Sequence, residues 1–265
     1  MASGNLKERF GPTALVTGAS DGIGRAFAET LAAHGFDLVL VARREAVLHE
    51  LAQDLTRRHG SKVDIIPADL AAPDAAARIL RQTAERQVGL LVAAAGFGSI
   101  GSFLDLPIAV EASMVDVNCR AVVELSHGLG RRMAAEGRGG MVLFGSLLGF
   151  QGAPGSATYA ATKGFVQGFA EALAVELRPL GISVLAVAPG PVGTGFAARA
   201  GMHMSQSDTP QAVVRAALAA LPRGGTVRPG FMGKLLGWSL APLPRWGRVR
   251  ILGQIMKGMR ARPAA

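Results

Sequence analysis

Tyr159 and Lys163 stand four residues apart in a stretch, residues 157–180, whose apolar spacing predicts a helix, so both side chains fall on one helical face. A phenol with a pKa of about 10 is a poor acid or base at neutral pH, but a neighbouring ammonium favours the phenolate and lowers that value. The pair therefore predicts a proton carrier, and Tyr159 is the only tyrosine in the chain. Ser146 lies thirteen residues earlier, just past the apolar run 141–144. A strand end there would set its hydroxyl beside a crevice, where it could hold a carbonyl oxygen. Taken alone, a Tyr-x-x-x-Lys pair is commonplace, and an exposed helix face with a half-buried ring is its plain structural meaning.

A second constellation follows the first apolar run: Thr17-Gly18-Ala19-Ser20-Asp21-Gly22-Ile23-Gly24, then a helical pattern. Glycines let such a turn tighten and bring backbone N–H groups, with Ser20 and Ile23 among them, up to a pyrophosphate that the helix N-terminus attracts. An ordinary turn is the plainer meaning of the same residues. The second apolar run ends Val41-Ala42-Arg43-Arg44. Recognition of the NAD ribose calls for a carboxylate at this strand end, and Ala42 offers none. The planar donor forks of Arg43 and Arg44 suit a 2′-phosphate instead. This favours NADP(H) over NAD(H), although two solvated arginines at a helix start are the alternative.

The elements that must position these residues are legible in the alternation. Short apolar runs at 14–17, 38–42, 63–66, 90–93, 141–144 and 182–188 have the continuous character of strands buried on both faces. Helical patterns lie between or after them at 23–34, 44–59, 74–86, 107–136 and 157–180. The order predicts a single-domain α/β fold of Rossmann type: a doubly wound parallel sheet with helices on both faces and its ligand crevice at the carboxyl ends of the strands. Of 265 residues, 49% are hydrophobic and 18% charged, enough for a large core and too apolar for disorder.

One cysteine, Cys119, excludes an internal disulfide, and five scattered histidines offer no metal-ligand spacing. The polar opening residues lack a secretory h-region, and no uncharged stretch reads as a membrane span, so the expected location is the cytoplasm. The net charge of +9 is concentrated: residues 1–222 carry nineteen bases and nineteen acids, whereas 223–265 carry nine bases and no acid. A neutral body with a basic extension argues against nucleic acid binding and divides the chain at about residue 222.

At this point the residues resemble the short-chain dehydrogenases/reductases. The resemblance rests on Thr17-Gly-x-x-x-Gly-x-Gly24, Asp69, Ala95-Gly96, Asn118, Ser146, Tyr159-x-x-x-Lys163 and Pro189-Gly190-Pro191-Val192-x-Thr194, which run in order through residues 13–194. It implies that Ser146 orients the carbonyl or hydroxyl, that Tyr159 exchanges its proton, and that Lys163 lowers the tyrosine pKa and binds the nicotinamide ribose. Asn118 would support a water-linked proton relay. It further implies that Gly18, Ser20, Gly22, Ile23 and Gly24 hold the pyrophosphate, that Asp69 and Leu70 border the adenine, that Ala95 and Gly96 touch the cofactor, and that Pro189, Gly190, Val192 and Thr194 close over the nicotinamide.

Two features depart from the family pattern. Ala93-Ala94 replaces two asparagines, implying some loss of stability or loop rigidity, and Asp21 withholds the basic residue that NADP-binding members often carry in the glycine turn. The segment 38–45 and the turn through Phe97 and Gly98 are similar to a branch of hydroxysteroid and 3-ketoacyl reductases. Members are commonly homodimers or homotetramers built on long helices.

The residues expected around a substrate, 97–103, 147–154 and 196–207, are mostly small or apolar, which suits an apolar ketone, aldehyde or alcohol. In the extension, Trp238 accompanies Phe231, Leu235, Leu236, Leu240 and Leu243. From Trp246 to Met259 the helical period gathers Val249, Leu252, Ile255, Met256 and Met259 on one face, opposite Arg250, Lys257 and Arg260. Such a basic amphipathic helix can cover a pocket, join an oligomer interface or lie on an anionic membrane surface. The rival to an enzyme is an NADP(H)-sensing binding protein that acts through this tail, but such a protein has no reason to keep Tyr159, Lys163 and Ser146 together.

Overall fold

Each apolar run becomes a strand because its odd and even residues both find a hydrophobic layer. In the computed structural model, which describes residues 6–196, 207–230 and 244–259, β1 is Thr13–Thr17, β2 Asp37–Ala42, β3 Val63–Pro67, β4 Val88–Ala93, β5 Gly139–Phe144, β6 Ile182–Val187 and β7 Gly225–Val227. They form one sheet in the order β3-β2-β1-β4-β5-β6-β7, with every neighbouring pair parallel. Helices α2 (Gly22–Ala33), α3 (Glu45–His59) and α8 (Pro210–Ala220) supply the layer that takes Ala14, Val16, Leu38, Leu40, Leu90 and Val92. Helices α4 (Ala75–Gln82), α6 (Ala121–Ala135) and α7 (Ala157–Glu176) take Leu15, Val39, Val41, Leu91 and Ala93 from the other face. Alternate residues of one run thus bury on opposite faces, which is the doubly wound parallel arrangement the sequence predicts. The short α1 (Leu6–Phe10) sets the fully buried Phe10 against Gly140, where a Cβ would lie 2.9 Å from the ring.

The sequence misplaces several boundaries. The segment 107–136 is not one helix: α5 (Ile108–Val115) passes into a π turn, Asp116–Arg120, before α6 begins. That widened turn holds Asn118, whose buried amide bonds across to Phe97 and Thr162, a tertiary contact that no periodicity encodes. The helix expected over 74–86 stops at Gln82, where the Thr83 hydroxyl turns back on the Ile79 carbonyl at 2.9 Å. The one expected over 157–180 ends at Glu176 and continues as a 3-10 turn closed by Gly181 at φ +76°. Helix α8 and strand β7 are unpredicted. The strand has three residues, too few to form a run, and it lies within the basic segment that the charge count sets apart. The helix did leave a signal, Thr209 as cap followed by Pro210 at the first position, with Thr209 Oγ1 accepting from Ala212 N. The basic extension provides α9, Arg245–Met259, within one residue of the expected start. Residues 231–243, with Trp238 and its apolar neighbours, lie outside the described residues.

Phe27 of α2 is fully buried and meets Phe144 edge to face at 5.9 Å between ring centroids. Truncation of Phe27 to alanine should cost about 3–5 kcal/mol. Urea denaturation should show a lower midpoint at unchanged slope.

Candidate functional site

The strand order reverses between β1 and β4, so the turns leaving these strands diverge and open a crevice at their carboxyl ends. The β1–α2 turn presses directly on the backbone after β4. Gly18 sits at φ +68°, and a Cβ there would lie 2.9 Å from Ala95 N and Cα. Gly24 faces the Gly18 carbonyl so closely that a Cβ would collide with it. Ala95 N donates to Thr17 Oγ1 at 3.0 Å, tying the two turns together. The start of α2 has no side-chain cap, and Gly22, Ile23 and Gly24 of its first turn line the cavity. A cradle stripped of Cβ atoms at a helix N-terminus could hold a pyrophosphate.

One cavity of about 1070 Å³ runs from this cradle across the strand ends. Its lining includes every residue that the sequence assigned to a cofactor: Gly18, Ser20, Gly22, Ile23, Gly24, Arg43, Arg44, Asp69, Leu70, Ala95, Gly96, Pro189, Gly190, Val192 and Thr194. Arg44 is not merely solvated. It donates from Nη2 to the Ser20 carbonyl at 2.9 Å and to Ser20 Oγ at 3.1 Å, placing its guanidinium between the glycine turn and the end of β2. Asp69 holds its own turn by accepting from Ala71 N at 3.1 Å. The Asp21 carboxylate faces Gly195, where a Cβ would collide with Oδ2. Its charge is therefore directed at the loop after β6.

Of the four residues expected to do chemistry, three line this cavity: Ser146, Tyr159 and Lys163. Ser146 starts a short 3-10 turn, Leu147–Phe150, and its Oγ accepts from Leu148 N at 3.2 Å. Lys163, buried in α7, donates from Nζ to the Phe144 carbonyl at 2.8 Å and lies 5.7 Å from the centre of the Tyr159 ring. Asn118 stands behind the cavity lining. It brackets Phe97 by donating to its carbonyl at 3.0 Å and accepting from its N–H at 3.2 Å, and it donates to Thr162 Oγ1 at 3.0 Å. Gly96, between them, leaves room for both: a Cβ would lie 3.0 Å from Asn118 Oδ1 and 3.4 Å from Lys163 Nζ.

The electrostatics correct one expectation. Burial pushes the Tyr159 phenol up to about 12, against the opposing pull of its hydrogen bond with Ser146, so the lowering expected from Lys163 does not prevail. The same burial acts on Lys163, whose ammonium is desolvated and brought down to about 8. Desolvation disfavours both charged forms at once. At neutral pH the phenol is protonated and the amine is charged. Cys119, buried beside Thr162, is raised to about 11 by burial and stays a thiol.

The substrate side is walled partly as expected, by Phe97, Gly98, Leu147, Leu148, Phe150, Gln151 and Phe196, whose ring lies 5.4 Å from that of Tyr159. Residues 197–206 of the expected wall lie outside the described residues. The sequence missed the contributions of Ala109, Val110 and Ser113 from α5 and of Arg228 after β7. It did contain a signal for α9: the apolar period marked Leu252, Ile255 and Met256, and these with Arg248 complete the lining. Leu252 and Met256 are buried, and Gly253 faces Pro154 closely enough to bring the helix down on the pocket rim. Trp246 remains two-thirds exposed, with the Arg250 guanidinium 5.4 Å from its ring.

The lowered Lys163 pKa carries a stability signature. Between about pH 10.5 and 8 the unfolded chain takes up this proton and the folded one does not, so the contribution present above pH 10.5 is lost as pH falls through 8. Denaturation at pH 7.5 and pH 10 should show wild type gaining up to roughly 3 kcal/mol at the higher pH relative to Lys163→Met, at about 1.4 kcal/mol per pH unit. A gain shared equally by the variant would assign it elsewhere.

The short chain dehydrogenase family model matches residues 12–204. The 7beta-hydroxysteroid dehydrogenase of Collinsella aerofaciens is 32% identical over 186 residues, 70% of this chain and 71% of its own. A solved 7beta-hydroxysteroid dehydrogenase superposes with a TM-score of 0.86 at 28% identity, over 94% of this chain and 99% of the other. A short-chain dehydrogenase from Sphingobium yanoikuyae, solved in complex with NADPH, gives 0.79 at 33% identity, over 96% and 98%. With the glycine cradle at the switch point and Ser146, Tyr159 and Lys163 in the cavity beside it, the matches lead to one conclusion: this chain belongs to the short-chain dehydrogenases/reductases, nicotinamide-dependent oxidoreductases built on this sheet.

Proposed function

We propose that the protein interconverts an apolar ketone or aldehyde and its alcohol with NADP(H), and that Tyr159 is the acid/base. The observation that carries this reading is the meeting of Ser146, Tyr159 and Lys163 in one cavity continuous with the glycine cradle. A nicotinamide seated beside them would supply or accept the hydride. The work of the chain is then positional and electrostatic. Ser146 Oγ holds the substrate oxygen, and the Tyr159 hydroxyl, protonated at neutral pH because its pKa is pushed up to about 12, gives that oxygen its proton. Lys163, anchored on the Phe144 carbonyl, keeps a positive charge beside the phenol and favours the tyrosinate left behind. Asn118 holds Phe97, and with it the loop along one wall, while its place behind Gly96 and against Thr162 suits the proton relay that the family resemblance implies.

The case for NADP(H) over NAD(H) rests on Arg43 and Arg44 in the cavity lining, the absence of a carboxylate at Ala42 and the tether of Arg44 to Ser20. The NADPH complex of the Sphingobium relative agrees with it. In this reading residues 1–222, completed by β7 from the extension 223–265, form the catalytic body, and the extension covers the substrate pocket through α9, whose buried apolar side chains face that cavity. A peripheral membrane contact would be left with Trp246, Ile251 and the basic face. The exposed Phe165 and Val175 on α7 and Val115 on α5 suit a homodimer or homotetramer, and the expected location remains cytoplasmic. Among the described residues no helix is long and apolar enough to cross a membrane.

NADPH oxidation over a panel of apolar ketones and aldehydes tests the reading. Tyr159→Phe should lower kcat by a factor of about 100 or more with little change in NADPH affinity, since general acid catalysis contributes on that scale. Retained turnover would remove Tyr159 from the chemistry. No turnover of any carbonyl despite tight NADPH binding would favour the sensing protein. Arg44→Ala should reduce the preference for NADPH over NADH by about tenfold, near the worth of one charge-assisted bond.

A further inference from the structure

Two guanidiniums line the cavity away from the glycine turn: Arg228, the residue after β7, and Arg248 of α9. Their surroundings are apolar, with Phe150, Leu252, Ile255 and Met256 in the same lining. The only carboxylates in that lining, among the described residues, are Asp21 in the glycine turn and Asp69 after β3. Both are engaged at the opposite half, Asp21 against Gly195 and Asp69 on Ala71 N.

Arg228 is firmly placed. Val227 is in register with Val187 of β6, and Ala188 N donates to the Val227 carbonyl at 2.9 Å, so the backbone that carries the side chain is part of the sheet. The guanidinium lies over the Phe150 ring, with Cζ 4.3 Å from its centre. This stacking serves the flat face of the cation and leaves its donor edge for something else. At that edge Nε is buried with no hydrogen-bond partner. A buried donor on a cation is costly when unsatisfied, and the planar fork of a guanidinium matches a carboxylate.

We infer that the substrate is an apolar carbonyl or alcohol that also bears an anionic group, a carboxylate above all, and that Arg228 anchors this group. The inference rests on the reading of this cavity as the site of an apolar carbonyl substrate and names its class more closely. Arg228 is a specificity residue in this account, since its partner is the anionic group and not the reacting oxygen held at Ser146 and Tyr159.

Calorimetric titration of the full-length protein saturated with NADP⁺ provides the test, with decanoate and its neutral isostere decanamide as probes. Decanoate should bind at least tenfold more tightly than decanamide. Arg228→Met, which keeps apolar contact with Phe150, should abolish that preference while leaving decanamide affinity and NADP⁺ affinity unchanged. Equal binding of the two probes, failure of both to bind, or a preference that survives in the variant would overturn the inference. So would a loss of NADP⁺ affinity in the variant, which would assign Arg228 to a cofactor phosphate. The comparison of the probes in wild type decides the matter even if the variant folds poorly. Reduction of neutral ketones without a decanoate preference would remove this inference alone, and the proposed reaction would stand.

Discussion

The backbone of the β1–α2 turn lies against the backbone that leaves β4, with no side chain between them, and the architecture of the site follows from that contact. Gly18 can approach Ala95 only because it lacks a Cβ and accepts a positive φ. The approach points the uncapped start of α2 along the crevice and brings Gly96 within reach of Asn118 and Lys163. A side chain at Gly18 would push the turn away from the backbone after β4, and one at Gly24 would collide with the Gly18 carbonyl inside the turn itself.

Across the crevice, the proposed chemistry depends on a charge that is difficult to bury. Lys163 donates to the Phe144 carbonyl at the end of β5, so the strand that presents Ser146 also holds the lysine. Tyr159 is thereby set between two groups positioned by the same strand end. The cost of desolvation leaves the phenol protonated and the amine easily discharged, which gives the site opposite leanings for its two proton states. The lowered tyrosine pKa anticipated from a four-residue spacing assumed a solvated pair. Burial, which spacing does not encode, reversed the sign.

Much of the fold was legible because the apolar runs carry their own explanation: Leu15 and Val16, or Leu40 and Val41, point to opposite layers, and only a doubly covered parallel strand accommodates both. The glycine turn after β1 was legible for a different reason, since Gly18 and Gly22 take positive φ and Gly18 and Gly24 meet neighbouring backbone too closely for a side chain. What escaped was tertiary in origin. The π turn at Asn118 exists because its amide finds Phe97 and Thr162, and β7 exists because β6 offers an edge to Gly225–Val227. Arg228 and the α5 residues reach the cavity through those same long-range placements. Ala93 and Ala94 in place of two amides suggested a looser loop, yet Thr17 Oγ1 on Ala95 N and Asn118 on Phe97 tie that loop at both ends.

Helix α9 rests on the pocket through few buried side chains, Leu252 and Met256 chief among them, helped by the close fit of Gly253 to Pro154. At about 1.5–3 kcal/mol for each fully buried side chain, this seat is worth only a few kcal/mol, far less than the sheet beneath it. If α9 is the cover proposed above, a seat this light would open more readily than the body unfolds, so substrate entry and product departure could be timed by the helix and not by the bond-making step. Changes to the few residues under α9 would then alter turnover without touching Tyr159, which gives the scaffold a way to adjust its pace separately from its chemistry.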